Sequence, residues 1–143
     1  MPMRSHIRAF FARKAAECLD DAGLSEQVQL LFENVQLSPS IGTRKWVELR
    51  LNFSEEAGGR GAGHLHLHLL RGQLFGVAGV PLGSGMEGLD QMIDCLSGGL
   101  SHIRRPELAS YEMVSEEPFV STIYHCTRYR LDFVSNPNEV LHV

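Results

Sequence analysis

The sequence is poor in cysteine, carries no excess of basic charge and has no long apolar run. Its three cysteines, Cys18, Cys95 and Cys126, are far apart and form no CxxC pair, which argues against a zinc ribbon and a redox pair. We expect free, buried thiols in a reducing compartment. No apolar run approaches the ~20 residues that span a bilayer, and the first 17 residues lack the apolar core of a signal peptide. We therefore expect synthesis in a cytoplasm and no membrane partner.

The charge balance limits the possible partners. Thirteen basic residues stand against 17 acidic ones in a chain of 143, a net charge of -4. A free-standing nucleic-acid-binding protein usually shows a basic face, so this balance disfavours that class. It leaves open a surface along which DNA slides without being held. The length and the hydrophobic fraction of 43% suit one globular domain with one core.

Two helices are predicted from apolar residues that recur every three or four positions. The first covers about Ser5 to Ala22 and is stopped by Gly23. Its apolar stripe consists of Ile7, Phe10, Phe11, Ala15, Cys18, Leu19 and Ala22.

The second helix follows a turn formed by residues 81–85. Ser84 and Glu87 have the spacing of a capping box, and Gly98 with Gly99 is expected to end the helix. Its apolar face consists of Met86, Leu89, Met92, Ile93, Leu96 and Leu100.

Strands are predicted between and after the helices. Residues 28–32 form a short strand, and residues 46–53 alternate between apolar and polar side chains. Residues 54–63 are predicted to be the tip of a long hairpin, which returns through 64–69 and, after a bulge or bend at Gly72, through 73–81. A short strand over 111–114, a long strand over 120–134 and a C-terminal tail over 135–143 complete the chain. The predicted fold is α+β: a single domain over 1–143, with a mostly antiparallel or mixed sheet, a long hairpin and two packed helices.

Three histidines in the hairpin are the strongest candidates for metal ligands. His64, His66 and His68 share one face of a strand, and histidines at this spacing can ligate zinc. The alternative is a polar face opposite three buried leucines. No acidic residue in the strand completes the site, so we predict no bound metal.

Other groups that could carry chemistry have simpler interpretations. The segment Gly83-Ser84-Gly85 precedes a helix but lacks the lysine of a phosphate-binding loop. Glu87, Asp90 and Asp94 share a helix face that we expect to be solvated. His125 and Cys126 are neighbours in a strand and therefore point to opposite faces. We predict no catalytic residue and no cofactor, and hence a protein that is not an enzyme.

Two segments carry a resemblance to a known family. Residues 32–49, FENVQLSPSIGTRKWVEL, resemble the "ENvxfxPxxGtxWvxl" signature of tailed-phage tail terminator proteins. Residues 72–77 followed by 80–85 resemble the family's "GxlxVxvxxPxGxG" strand and turn. The matching positions are Glu33, Asn34, Gly42, Thr43, Trp46, Pro81, Gly83 and Gly85. The chain departs from the pattern at Leu37, where the family has an aromatic residue, and at Gly79, which replaces a larger one.

The resemblance implies a structural virion protein rather than an enzyme. Such a subunit forms a homo-oligomeric ring, expected to be a hexamer, at the head-proximal end of the phage tail. The ring caps the tail tube, stops its polymerisation and joins the head connector or stopper, while genomic DNA passes through the lumen without specific binding. The matching residues would shape the loop and the turn.

Three hypotheses follow from these observations. The first is the tail terminator subunit, the second another head–tail connector, stopper or tail-tube protein, and the third a small metal-binding protein that uses His64, His66 and His68. For a ring, Glu87, Asp90 and Asp94, or Glu55 and Glu56 at the hairpin tip, would make the lumen acidic. Arg128 and Arg130 share a strand face and would instead make the lumen basic if they faced it, but we expect them to pair with carboxylates of a neighbouring subunit.

Overall fold

A computed structural model describes residues 3–32, 44–55 and 70–136 of the chain. In chain order its elements are α1 (Met3–Asp21), β1 (Val28–Phe32), β2 (Lys45–Glu55), β3 (Leu70–Pro81), α2 (Glu87–Leu100), β4 (Leu108–Ser110), β5 (Val114–Ser115), β6 (Phe119–Ser121) and β7 (Tyr124–Ser135). No helix in the described ranges is long and apolar enough to cross a membrane.

The described strands form one mixed sheet. The strand order is β1-β2-β3-β7-β4, and β5 and β6 also pair with β7. β1 runs parallel to β2, and the other pairs are antiparallel. With two helices and this sheet, the predicted α+β fold is confirmed.

The two helices and one face of the sheet enclose the main core. Val47, Leu49 and Leu51 of β2 point into it, as their alternation predicted. β7 contributes Tyr129, Leu131 and Phe133, which alternate with exposed residues as a half-buried antiparallel strand requires. The sheet therefore has a helix-covered face, and we name the opposite side of the sheet the open face.

The first helix agrees with its prediction to within two residues at either end. Its apolar stripe is buried at Ile7, Phe10, Phe11, Ala15 and Leu19. Ala22 is exposed and lies beyond the last turn. Gly23 takes a φ of 72° and ends the helix, while the Leu24 N–H donates to the Leu19 carbonyl at 2.8 Å, which satisfies one of the terminal carbonyls.

Both boundary signals predicted for α2 are wrong. The Ser84 hydroxyl donates to the Pro81 carbonyl at 2.7 Å, so it serves the turn, and the N-cap residue Met86 makes no side-chain capping bond. The helix also continues through Gly98 and Gly99 to Leu100. Gly99 faces α1, where a Cβ atom would collide with the sulfur of Cys18. This glycine therefore permits close helix packing instead of ending the helix.

The predicted bulge at Gly72 is also wrong. Gly72 pairs in register with Phe53 of β2 and Phe133 of β7, and the pairing of β3 with β7 is continuous from Leu70 to Pro81. A Cβ atom at this position would overlap the ring of Phe133, so the glycine makes room for an aromatic side chain.

The strand predicted over 120–134 is a hairpin. β6 ends at Ser121, and Thr122 turns the chain with a φ of 56°. The strand predicted over 111–114 is displaced as well: residues 111–113 lie between β4 and β5.

β4, β5 and β6 together follow the outer edge of β7. The edge strand advances six positions from Leu108 to Val114, whereas β7 advances five positions between their partners, Ser135 and Arg130. From Val114 to Phe119 the edge strand advances five positions, and β7 advances four, from Arg130 to Cys126. The edge strand thus carries one extra residue in each gap, which blunts the edge of the sheet.

The hairpin prediction is only partly covered by the described residues. β2 continues through Ser54 to Glu55, which pairs with Leu70 of β3, so the strand is longer than predicted at this end. Residues 56–69 and 137–143, and with them most of the predicted tip and tail, lie outside the described residues.

Candidate assembly surface

The open face carries alternating charged and half-buried apolar side chains. Its members come from β2, β3 and β7: Glu48, Arg50, Asn52, Gln73, Phe75, Val77, Arg128, Arg130 and Asp132. Phe75 and Val77 of the central strand are half-buried, whereas Arg128 and Arg130 are exposed. The face thus resembles the polar surface of a sheet packed on one side.

Three arginines surround a depression of about 390 Å³ on this face. Arg50 forms an ion pair with Glu48 at 3.2 Å. The guanidinium of Arg128 lies 4.1 Å from the ring centroid of Phe119, a cation–π contact that holds the side chain in place. Arg130 forms no ion pair with any residue that the structure describes. The depression therefore presents guanidinium groups that lack full charge compensation.

A second depression of about 310 Å³ adjoins the first at Gln73. There the Gln73 side-chain amide donates to Asp132 at 3.2 Å. Tyr111, 55% exposed, lines the same depression. This half of the open face is polar, and the Asp132 carboxylate in it accepts the hydrogen bond from Gln73.

A small apolar cluster closes the other end of the open face. It consists of Leu31, Trp46, Tyr124 and Cys126. Trp46 and Tyr124 meet edge to face, with centroids 5.4 Å apart. The Trp46 ring covers Gly79, where a Cβ atom would lie 2.5 Å from it. This contact leaves no room for a side chain larger than glycine at position 79.

The turn of residues 81–85 ends the second family-like segment, all of which lies within the described residues. Gly83 and Gly85 have φ values of 88° and 83°, a conformation that favours glycine. The turn leads directly into α2 and is therefore a helix entry, as predicted.

The same turn exposes apolar side chains. The Leu82 N–H donates to the Ile123 carbonyl at 2.8 Å, which joins this turn to the β6–β7 turn. Leu82, Val120 and Ile123 are 44%, 59% and 48% exposed. We name these three residues the apolar end. Exposed apolar groups of this kind mark interaction sites when they are adjacent.

A groove with acidic walls lies on the helix side of the sheet, between α2 and the edge strands. It measures about 310 Å³ and is lined by Asp90, Ile93, Asp94, Ser115, Glu116, Pro118 and Thr127. We name it the acidic groove. Glu87, Asp90 and Asp94 are all exposed, as predicted. Asp90, Asp94 and Glu116 form no ion pair within the described ranges, and Glu116 lies on the rim between the groove and the arginine depression.

The cysteines are free thiols, but only Cys126 is fully buried. The structure brings Cys18 and Cys95 together between the helices, a proximity that their sequence separation did not predict. The Cys95 thiol lies 3.0 Å from the Cys18 carbonyl. Burial raises the pKa of all three thiols, so each stays protonated near neutral pH, which is unfavourable for a nucleophile.

The remaining candidate site residues of the sequence do not come together in the described part of the structure. Cys126 lies in the small apolar cluster with Trp46 and Tyr124. Strand alternation puts its neighbour His125 on the helix-covered face of the sheet. His64, His66 and His68 lie outside the described residues, as does Glu56. Within the described ranges no three His, Cys, Asp or Glu side chains are placed to hold a metal ion.

Sequence comparison finds no match to a protein-family model or to a curated protein. Structure comparison finds similarity to a solved protein whose name describes no activity. The TM-score is 0.61 over 93% of this chain and 95% of that chain, with 20% sequence identity. At this identity the similarity concerns the fold alone, and it supports the single α+β unit described above.

Proposed function

We propose that this chain is a tail terminator subunit that assembles into a ring, caps the tail tube of a bacteriophage and joins it to the head connector. The proposal rests first on the two family-like segments of the sequence. Glu33, Asn34, Gly42 and Thr43 of the first segment lie outside the described residues. In the second, Gly83 and Gly85 have the positive φ angles that a glycine-dependent turn requires.

The observation that carries the proposal is the apolar end. A backbone hydrogen bond ties Leu82 of the family-like turn to Ile123, Val120 lies on the adjoining strand β6, and all three are more than two-fifths exposed. The exposed part of these side chains adds nothing to folding stability, whereas a partner that covers it gains about 25 cal/mol for each Å² removed from water. A turn that ends in a contact surface suits a protein that acts by joining other proteins.

The remaining features fit a structural subunit. The charged groups of the open face and the acidic groove lie on the surface, and the buried thiols stay protonated. In the proposed ring, DNA crosses the lumen without being held, which agrees with the net charge of -4. Adhesion to phosphates requires clustered lysine and arginine and depends strongly on salt.

The function is tested by removing the gene from the phage that encodes the chain and measuring tail length by electron microscopy. Loss of a terminator gives tubes of irregular length, because polymerisation is no longer stopped. Loss of a connector or stopper gives tails of normal length that carry no head. Normal tail length in the deletion would therefore exclude the terminator role, and normal virions would exclude both.

A matched pair of variants tests the apolar end in the same phage. Leu82→Glu combined with Ile123→Glu should leave the protein folded but abolish its incorporation into tails. Ala16→Glu adds a charge at an exposed position of α1 and should be incorporated normally. Normal incorporation of the double variant would show that the apolar end is not a joining surface.

A further inference from the structure

Two charged surfaces of opposite sign face away from each other on this molecule. The arginine depression lies on the open face, and the acidic groove lies on the helix side of the same sheet. Arg130, Asp90 and Asp94 form no ion pair within the described part of the chain. Each surface thus presents charge that none of the described residues pairs.

The backbone positions that carry the charged side chains have a similar spacing on the two surfaces. Arg128 and Arg130 are two residues apart on β7, about 6.6 Å by the rise of a strand. Asp90 and Asp94 are four residues apart on α2, about 6 Å by the rise of a helix. Two arginines and two aspartates that start from similarly spaced backbone positions suit a paired contact, and charge-assisted bonds between such groups are short and directional.

Each surface also has an apolar component beside its charges. Phe75 and Val77 line the arginine depression, and Ile93 and Pro118 line the acidic groove. Contact between the surfaces would remove these side chains from water and leave the charged groups around them, since interfaces have an apolar centre and a polar rim.

We propose that the open face of one copy of this chain docks on the acidic groove of the next copy, with Arg128 and Arg130 opposite Asp90 and Asp94. The inference rests on the self-assembly in the proposed function and specifies its contact. Since the two surfaces differ, the contact is head-to-tail, and repetition produces a ring when the rotation between copies closes. Each copy uses both surfaces, so a closed ring leaves neither set of charges exposed.

Reciprocal charge reversal tests this contact. The mass of the purified full-length chain is measured by sedimentation over a concentration series for Arg130→Glu, Asp94→Arg and an equimolar mixture of the two. Each single variant sets like charges against each other and should weaken assembly about 10-fold or more. In the mixture every contact regains opposite charges, because the two variants alternate around the ring, and assembly should return. Arg104→Glu and Glu26→Arg change exposed residues outside both surfaces and are the controls.

Different results identify different failures. Wild-type protein that stays monomeric at every concentration would overturn the contact, while irregular tails in the gene deletion would still support the terminator function. Wild-type assembly that both single variants retain would overturn the contact and leave the ring in place. Loss of assembly without recovery in the mixture would overturn the pairing of Arg130 with Asp94. Salt-sensitive binding of duplex DNA that Arg130→Glu abolishes, with unchanged assembly, would assign the arginines to a polyanion instead.

Discussion

Replacing Tyr129 by phenylalanine is expected to reveal a hydrogen bond that stabilises the centre of the sheet. The Tyr129 hydroxyl donates to the Glu48 carbonyl at 2.5 Å. It does so opposite Gly76, where a Cβ atom would collide with that same carbonyl. Tyr129→Phe removes the donor and leaves the carbonyl buried without it, which should lower the free energy of unfolding by about 1–2 kcal/mol at neutral pH.

The pH dependence of the same variant gives a sharper test. Burial first, and the nearby Glu48 charge second, raise the pKa of Tyr129 well above its usual value. Above pH ~10 the unfolded chain therefore loses this proton while the folded chain keeps it, so stability falls by about 1.4 kcal/mol per pH unit. Tyr129→Phe lacks this contribution.

The measurement is urea unfolding of both proteins at pH 7, 10 and 11. The stability advantage of the wild type should be complete at pH 7 and disappear about one pH unit above 10. Both proteins contain the same cysteines and other tyrosines, so the difference between them isolates Tyr129. Equal stability at pH 7, or a difference that is constant with pH, would refute the reasoning.

Three glycine substitutions test the close contacts in the core. Gly99→Ala should destabilise the protein by about 1–3 kcal/mol, because its methyl group meets the sulfur of Cys18. Gly98→Ala, with no atom within 4 Å of the new Cβ, should stabilise α2 by about 0.5–1 kcal/mol. The same sign for both variants in thermal unfolding would contradict the helix contact. Gly79→Ala should displace Trp46, the one tryptophan of the chain, and shift its fluorescence to longer wavelength; an unchanged spectrum with unchanged stability would disprove the stacking.

The regular elements could be predicted because their side chains repeat with the period of the backbone. Val47, Leu49 and Leu51 alternate with polar residues, and the strand that contains them buries one face. In α1 the apolar residues recur at helical spacing, and Gly23 ends the helix in a conformation that other residues rarely adopt. In these elements local pattern and tertiary packing agree.

The β6–β7 turn could not be predicted, because its residues resemble a strand. Val120, Thr122, Ile123 and Tyr124 all favour extended structure, and neither glycine nor proline marks the turn. Thr122 nevertheless adopts a φ of 56°, which is uncommon for a β-branched residue. The contact between the Leu82 amide and the Ile123 carbonyl, formed across 41 residues of sequence, is part of what holds the turn, and no local pattern contains that information.

The candidate surface was predictable only in part. The shared face of Arg128 and Arg130 follows from strand alternation alone. The position of Arg50 beside them depends on β2 and β7 flanking β3 in register. The position of Glu116 on the rim depends on the extra residues in the edge strand. Neither the strand order nor these insertions has a signal in the local sequence.

The glycines of β3 show how a residue taken as a breaker can serve packing. Gly72, Gly76 and Gly79 lie within one strand, and the groups closest to them are the Phe133 ring, the Glu48 carbonyl and the Trp46 ring, respectively. A central strand loses stability through each glycine, but here neighbouring strands supply the missing bulk and cover the exposed backbone. Because the aromatic side chains come from β2 and β7, the three strands are held together by side-chain packing as well as by their hydrogen bonds. A larger residue at any of these positions would displace an aromatic ring or a carbonyl, so the spacing of the glycines reports on the neighbouring strands and not on β3 itself.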